Sequence, residues 1–477
     1  AQDPALEEAL ASRLPEDIQY SDVRPAIHDA FSGFRVALES LGGYFAERVH
    51  DLDEIANRTI AVLSGEVAEA IVLDKPSIIV AEDLTPADTA ALDLRYAMAL
   101  VVAKGGPTSH TAIVARGLGI PAIVGCDGAM DIEDGNLVLV DGRAGTISLN
   151  PSAEEIDAST EREAIFRKRA ESVSGPGRLK DGRAVQLLGN AGTVEDVVAA
   201  AKVGAEGIGL FRTELLFLDS QTEPTIEEQV ALYSAVFAAM PGKKIVIRTL
   251  DAGSDKPVPY INAIHEENPA LGVRGWRLTR TSNDVLNRQL EALAQAKKVS
   301  DVDLWVMAPM INTPDEARDF ADRVAKLGMG KAGVMVETPA AALHADHVLA
   351  EVDFGSFGTN DLTQYIMASD RLDSRLSDMT TAWHPAVLRA ISIAATSAAK
   401  LGKPIGVCGE AAANSHLAAV LIGLGVNSLS MAPSAIAEVR GFLSTVDFEM
   451  CEKAAQAALA ARSSLDSESI AKEILGA

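Results

Sequence analysis

From about residue 183 onward the chain alternates short β-branched or apolar runs with stretches of helical periodicity, and this alternation limits the fold more than any other feature. Eight candidate strands can be read at 185–190, 208–212, 245–251, 304–310, 333–337, 354–361, 405–408 and 428–431. A strand–helix–strand crossover makes neighbouring strands parallel. Eight βα units over roughly 290 residues match a (β/α)8 TIM barrel in number and size. An open doubly wound sheet would show the same alternation, so the count of eight is what selects the barrel.

The 477 residues are too many for one ordinary core, and the texture changes along the chain. Residues 1–67 read as helices, with apolar positions recurring at three and four around Ile27–Phe31 and from Val36 to Leu41. From 68 to 150 short strands at 78–80, 100–102, 122–124 and 137–140 predict a compact α/β domain. Residues 151–180 predict a linker helix: Ser152 with Glu155 forms a capping-box pattern that opens it, and Ser174-Gly-Pro-Gly177 ends it. The barrel then occupies 181–477.

Composition excludes several classes of function. With 42 basic against 67 acidic residues the net charge is −25, which argues against general nucleic-acid binding. An anionic substrate would therefore need a local gathering of arginines. No apolar run reaches the ~18 residues of a membrane span, and the start has no signal-peptide pattern. The three cysteines, Cys126, Cys408 and Cys451, are far apart with no CxxC, so neither a zinc site nor a disulfide framework is expected. A cytoplasmic protein without membrane or nucleic-acid partners is predicted. The first residue is Ala inside a helical pattern, as in a fragment.

Polar residues fall at or near the predicted strand C-terminal ends, where a barrel enzyme carries its chemistry: Asn190, Arg212, Arg248 with Asp251, Glu337, Asn360 with Asp361, and Cys408. Arg212, Arg248, Arg274 and Arg371 recur in glycine-rich or apolar settings. Guanidinium forks match phosphate and carboxylate oxygens, so their convergence predicts a small phosphorylated acid as substrate. Glu337 and Asp361 follow successive strands and could share one hard cation; the alternative is that either pairs with an arginine. Cys408, between glycines at the seventh strand end, is expected to give or take a proton at the ligand. Cys126 and Cys451 are expected to be structural, and His344 and His347 to be surface residues.

His110 stands in Lys104-Gly-Gly-Pro-Thr-Ser-His110-Thr, at the opening of a predicted helix. A glycine-rich turn and a helix N-terminus favour an anion, which would suit a phosphate carried on the ring. Imidazole is a competent nucleophile near neutral pH. Taken alone, a capped and inert histidine explains the position as well.

These segments resemble the phosphoenolpyruvate-utilising enzymes. Gly105-Gly-Pro-Thr-Ser-His110-Thr is similar to their phosphohistidine signature. Gly333-Val-Met-Val-Glu-Thr-Pro-Ala340 and Phe357-Gly-Thr-Asn-Asp-Leu-Thr-Gln-Tyr365 are similar to their barrel signatures. Within that family the chain most resembles the Enzyme I branch, the phosphoenolpyruvate–protein phosphotransferases of the bacterial sugar phosphotransferase system. The resemblance implies autophosphorylation of His110 from phosphoenolpyruvate, release of pyruvate, and transfer to a histidine of the carrier HPr. It implies that Arg212, Arg248 and Arg371 hold the phosphoryl group, that Arg274 adds positive charge there, that Asn360 and Asp361 help seat the substrate, and that Glu337 and Asp361 bind Mg²⁺. It makes Cys408 the proton donor to the pyruvate enolate. It implies a mobile phosphohistidine domain at 68–150 and a homodimer through the barrel. Residues 1–67 match only the end of the helical subdomain that docks HPr, so the chain is expected to be N-terminally truncated relative to the family.

Two other functions compete with this reading. A dikinase or phosphoenolpyruvate synthase shares these signatures but needs a large ATP-binding domain, and no glycine-rich nucleotide loop precedes His110. A regulator with an inert barrel would not need every barrel group.

Overall fold

The computed structural model describes residues 12–13, 20–41, 52, 55–56, 59–60, 73–84, 88–89, 92–105, 110–142, 145–218, 222–253, 258, 260–261, 266–371 and 373–476. The chain divides into two compact units, Ala1–Ser152 and Ala153–Ala477.

In the first unit the helix Tyr20–Leu41 turns an apolar stripe inward. Ile27 and Phe31 pack against Ala56 and Ile60, with Val23 and Leu52 at the edge. Three strands, β1 (Ser77–Ala81), β2 (Ala97–Val102) and β3 (Ala122–Ile123), form a parallel sheet in that order. Ile79, Leu100 and Val102 from the sheet bury Ala115 of the helix His110–Leu118. The fourth predicted strand belongs elsewhere. β4 (Val138–Asp141) forms an antiparallel hairpin with β5 (Thr146–Leu149). The second strand of this hairpin has no counterpart among the expected strands, because in Thr-Ile-Ser-Leu polar residues interrupt the apolar ones and no β-branched apolar run stands out.

The second unit opens with the helix Ala153–Ser172. Eight parallel strands then close into a barrel: β6 (Gln186–Ala191), β7 (Gly207–Phe211), β8 (Lys244–Arg248), β9 (Asp303–Ala308), β10 (Lys331–Val336), β11 (Phe354–Phe357), β12 (Ile405–Val407) and β13 (Ser428–Met431). Each pairs with its successor, and β13 returns to β6 with Ser428 opposite Gln186 and Met431 opposite Gly189. The predicted (β/α)8 barrel is therefore the observed fold.

Alternation along the strands builds two cores. One set of side chains packs outward under the helices, including Leu187, Ile208, Phe211 and Ile245. The other set fills the lumen: Leu210, Val246, Trp305, Met307, Met335, Phe354 and Cys408 meet although they come from six successive strands or their ends. Helix starts follow their local chemistry. Thr193 with Asp196, Thr225 with Glu228 and Thr313 with Glu316 each form a reciprocal capping box.

Three predicted strands run on too far. The third ends at Arg248 rather than at residue 251, the fourth at Ala308 rather than at residue 310, and the sixth at Phe357 rather than at residue 361. Gly358 breaks the apolar run, and Thr359–Met367 is a helix that buries Leu362. Asn360 and Asp361 therefore lie in a first helical turn, not on a strand.

Candidate active site

The polar groups expected at strand ends reach the C-terminal face of the barrel. Arg212 follows β7, Arg248 ends β8, Glu337 follows β10, and Cys408 follows β12. Asn360 and Asp361 follow β11 by way of the helix Thr359–Met367.

At that mouth six charges form one alternating chain. Arg248 pairs with Glu214 at 3.0 Å and with Asp251 at 3.2 Å. Asp251 also receives Arg274 at 2.8 Å, and Arg274 reaches Asp361 at 3.0 Å. The second oxygen of Asp361 stands 3.4 Å from Arg371. Glu214, Arg248, Asp251, Arg274 and Asp361 are all buried. Buried charges are tolerated when each meets an opposite partner, and here three acids balance three arginines. Burial alone would lower the pKa of Arg248, but Glu214 and Asp251 outweigh it and raise it.

Arg212 differs. It is exposed, and among the described residues it forms no ion pair. The crowded surroundings of its head group and, next, the like charge of Arg248 push its pKa below the ordinary guanidinium value. An anion entering the mouth would meet Arg212 first and would exchange with the carboxylates already on the other three.

Glu337 is 0% exposed, and its two oxygens are used differently. Oε1 accepts the backbone N–H of Met310 at 2.6 Å, which holds Met310 at a left-handed φ of 57°. Oε2 is buried without a hydrogen-bond partner. Burial, followed by the charges of Asp361 and Asp251, pushes the carboxyl up to about 8. Gly358 lets the backbone pack close against it, since a Cβ there would lie 2.5 Å from Glu337 Oε2. A buried carboxylate oxygen with no partner, near a second carboxylate, fits a hard divalent cation. Of the two carboxylates, Asp361 shows the pairing with arginine that was the alternative to metal binding.

Cys408 is buried, its thiol donates toward the Phe357 carbonyl at 3.5 Å, and burial pushes its pKa up to about 11. It therefore stays a thiol, able to give a proton, at neutral pH. Asn190 donates to the Cys408 carbonyl at 3.1 Å and accepts from Ser430 at 2.6 Å. Asn360 accepts the N–H of Glu410 at 3.3 Å.

Residues without an assigned role in the sequence complete the mouth. Glu214 lies two positions after Arg212, and the short helix Glu214–Leu218 turns it inward. Gln289 is fully buried; it accepts from Leu250 N–H at 2.9 Å and donates to Thr213 and Tyr233 at 3.1 Å. It thus ties the β7 and β8 ends together. A glutamine among Val285, Leu286 and Leu290 on a helix's apolar face is the signal in the sequence that could have found it.

In the first unit His110 opens the helix His110–Leu118, as its sequence predicts. Gly105 just upstream adopts a φ of 87°, the left-handed turn that glycine permits. The intervening 106–109 lie outside the described residues. Cys451 is buried and Cys126 half-buried. His344 and His347 are exposed as expected, with rings 4.5 Å apart and Asp346 beside them. Among the described residues, no helix is long and apolar enough to cross a membrane.

Comparison with known proteins identifies the family. The family described as PEP-utilising enzyme, PEP-binding domain, matches residues 167–448, and the PEP-utilising enzyme mobile domain matches 73–145. A phosphoenolpyruvate-protein phosphotransferase of Streptomyces coelicolor is 46% identical over 479 residues, spanning 100% of this chain and 85% of the relative. Proteins of the same name from Haloferax volcanii and Bacillus subtilis are 38% and 37% identical, over 93% and 94% of this chain and 79% and 82% of their own.

Proposed function

Because the chain belongs to the PEP-utilising enzyme family, we propose that it moves the phosphoryl group of phosphoenolpyruvate to its own His110 and then to a histidine of an HPr carrier, releasing pyruvate. The observation that carries this reading is the barrel mouth: three arginines held by acids beside an exposed fourth, Arg212, with no ion pair among the described residues. Such a site favours a compact ligand bearing both phosphate and carboxylate.

Arg212, Arg248, Arg274 and Arg371 bind the phosphoryl oxygens, and Asn360 and Asp361 help orient the substrate. Glu337 and Asp361 would hold Mg²⁺, which when bound supplies positive charge to the substrate's oxygens. The imidazole Nε2 of His110 attacks phosphorus in line. An N–P bond forms as the P–O bond to the enol oxygen breaks, and the electron pair stays on that oxygen. The fixed guanidinium charges stabilise the transition state without reorganising. The Cys408 thiol gives its proton to the enolate's methylene carbon, which yields pyruvate, and the thiolate recovers a proton from solvent. The phosphoryl group then leaves His110 for the carrier's histidine.

In this reading 68–150 acts as the mobile phosphohistidine domain, 151–180 as the linker helix that lets it travel, and 181–477 as the substrate and dimerisation domain. The protein works in the cytoplasm as a homodimer. Incubation with ³²P-labelled phosphoenolpyruvate and Mg²⁺ is expected to give an acid-labile, base-stable label with stoichiometric pyruvate. Label that persists in His110→Ala would sink the assignment.

A further inference from the structure

Arg274 sits on an irregular segment rather than on a strand. The segment begins with the 3₁₀ turn Pro269–Leu271 and passes through Gly272 and Val273. A guanidinium meets a substrate in one geometry only if its backbone is held, and an irregular segment has no ladder to hold it.

Three side chains take that part. Glu266 accepts the N–H of Val273 at 2.9 Å, with its carboxylate packed where a Cβ of Gly272 would stand. Arg277 donates to the carbonyls of Leu271 and Gly272, each at 3.0 Å. Both of these belong to the segment's own neighbourhood in sequence. The third comes from across the mouth: the half-buried Tyr365 donates its hydroxyl to the Ala270 carbonyl, 95 residues away. Tyr365 lies one turn after Asp361 on the helix Thr359–Met367, so the two share a face. That face grips the segment twice, through Asp361 on Arg274 and through Tyr365 on Ala270.

We propose that Tyr365 is a positioning residue for Arg274: its hydroxyl fixes the 269–274 segment against the helix that carries Asn360 and Asp361, so that Arg274 meets the bound anion in a single geometry. This rests on the reading of the mouth as a phosphoenolpyruvate site. Tyr365 touches no reacting atom and acts only through the arginine.

The test is a double-mutant cycle in the full-length chain carrying His110→Ala, so that phosphoenolpyruvate with Mg²⁺ binds without turnover and calorimetry reads the affinity. Tyr365→Phe is expected to weaken binding about tenfold, the effect of one lost hydrogen bond and a displaced donor. In an Arg274→Ala background the same change is expected to cost less than about twofold, because the route through the arginine is gone. Unchanged affinity in Tyr365→Phe, or an equal loss in both backgrounds, overturns the assignment, and the equal loss marks a merely structural tie. If Tyr365→Phe does not fold, Arg277→Gln loosens the same segment from its other side and must show the same dependence on Arg274. If the parent chain binds no phosphoenolpyruvate, the underlying functional reading fails. If the parent binds and the cycle shows no coupling, only the role of Tyr365 fails.

Discussion

Glu337 shows how one residue can link stability to a ligand. Burial and the nearby carboxylates of Asp361 and Asp251 raise its pKa from 4.5 to about 8 when no cation is present. Folding therefore favours the protonated form. The stability this contributes is fully present below about pH 4.5 and is lost as pH rises through about 8. In metal-free protein the melting temperature is expected to fall across that window. Glu337→Gln, which cannot ionise, is expected to flatten the fall, and saturating Mg²⁺ to reverse it in the parent only. A slope that is the same in parent and variant would remove Glu337 from the account. The raised pKa could not be read from the sequence, because Met335, Glu337 and Thr338 say nothing of what surrounds them. The choice of Glu337 as a site residue could be read, because a lone carboxylate after an apolar strand is rare without a purpose.

At the scale of elements, the junction of β11 with the helix Thr359–Met367 matters most. Gly358 turns the chain there, and a Cβ at this position would stand 2.5 Å from Glu337 Oε2. Gly358→Ala is expected to leave the barrel folded but displace the carboxylate. The concentration of Mg²⁺ needed for half-maximal phosphorylation should rise by an order of magnitude or more, on the scale of a displaced site group. Circular dichroism and a metal titration check the two halves of this expectation. The same junction shows where pattern reading stops. Strand periodicity and helical periodicity overlap across Phe354–Asp361, and only the observed break at Phe357 separates them. Elsewhere local chemistry suffices, since Thr-x-x-Asp or Thr-x-x-Glu ahead of an apolar run marks three helix starts. The hairpin β4–β5 is half legible, because Val-Leu-Val in β4 forms an apolar run while Thr and Ser interrupt the one in β5.

For the whole molecule, the division at Ser152 and Ala153 carries a direct consequence. All eight barrel strands and the entire charge chain belong to the second unit. A chain beginning at Ala153 is expected to fold cooperatively and to bind phosphoenolpyruvate with Mg²⁺, yet to accept no label, since His110 is absent. Circular dichroism, calorimetry and the labelling assay together check this, and loss of binding would mean that the first unit contributes to the substrate site. The barrel itself was legible from eight recurring apolar runs. Membership of the mouth was legible from polar residues at strand ends, because in a parallel barrel every strand end faces the same way.

The sequence by itself determined the periodicities, the caps, the eight βα units and the identities of the groups that end them. All of these are local, set by residues a few positions apart. Only the tertiary structure decided which acid balances which arginine. Arg274 and Asp361 are 87 residues apart, and Thr213 and Gln289 are 76 apart; they meet only once the barrel has closed. Closure also decided that Glu337 keeps one buried oxygen without a partner while both oxygens of Asp361 are taken. Pairing and burial depend on distances through space, and a linear pattern of residue types does not contain them until the chain has folded.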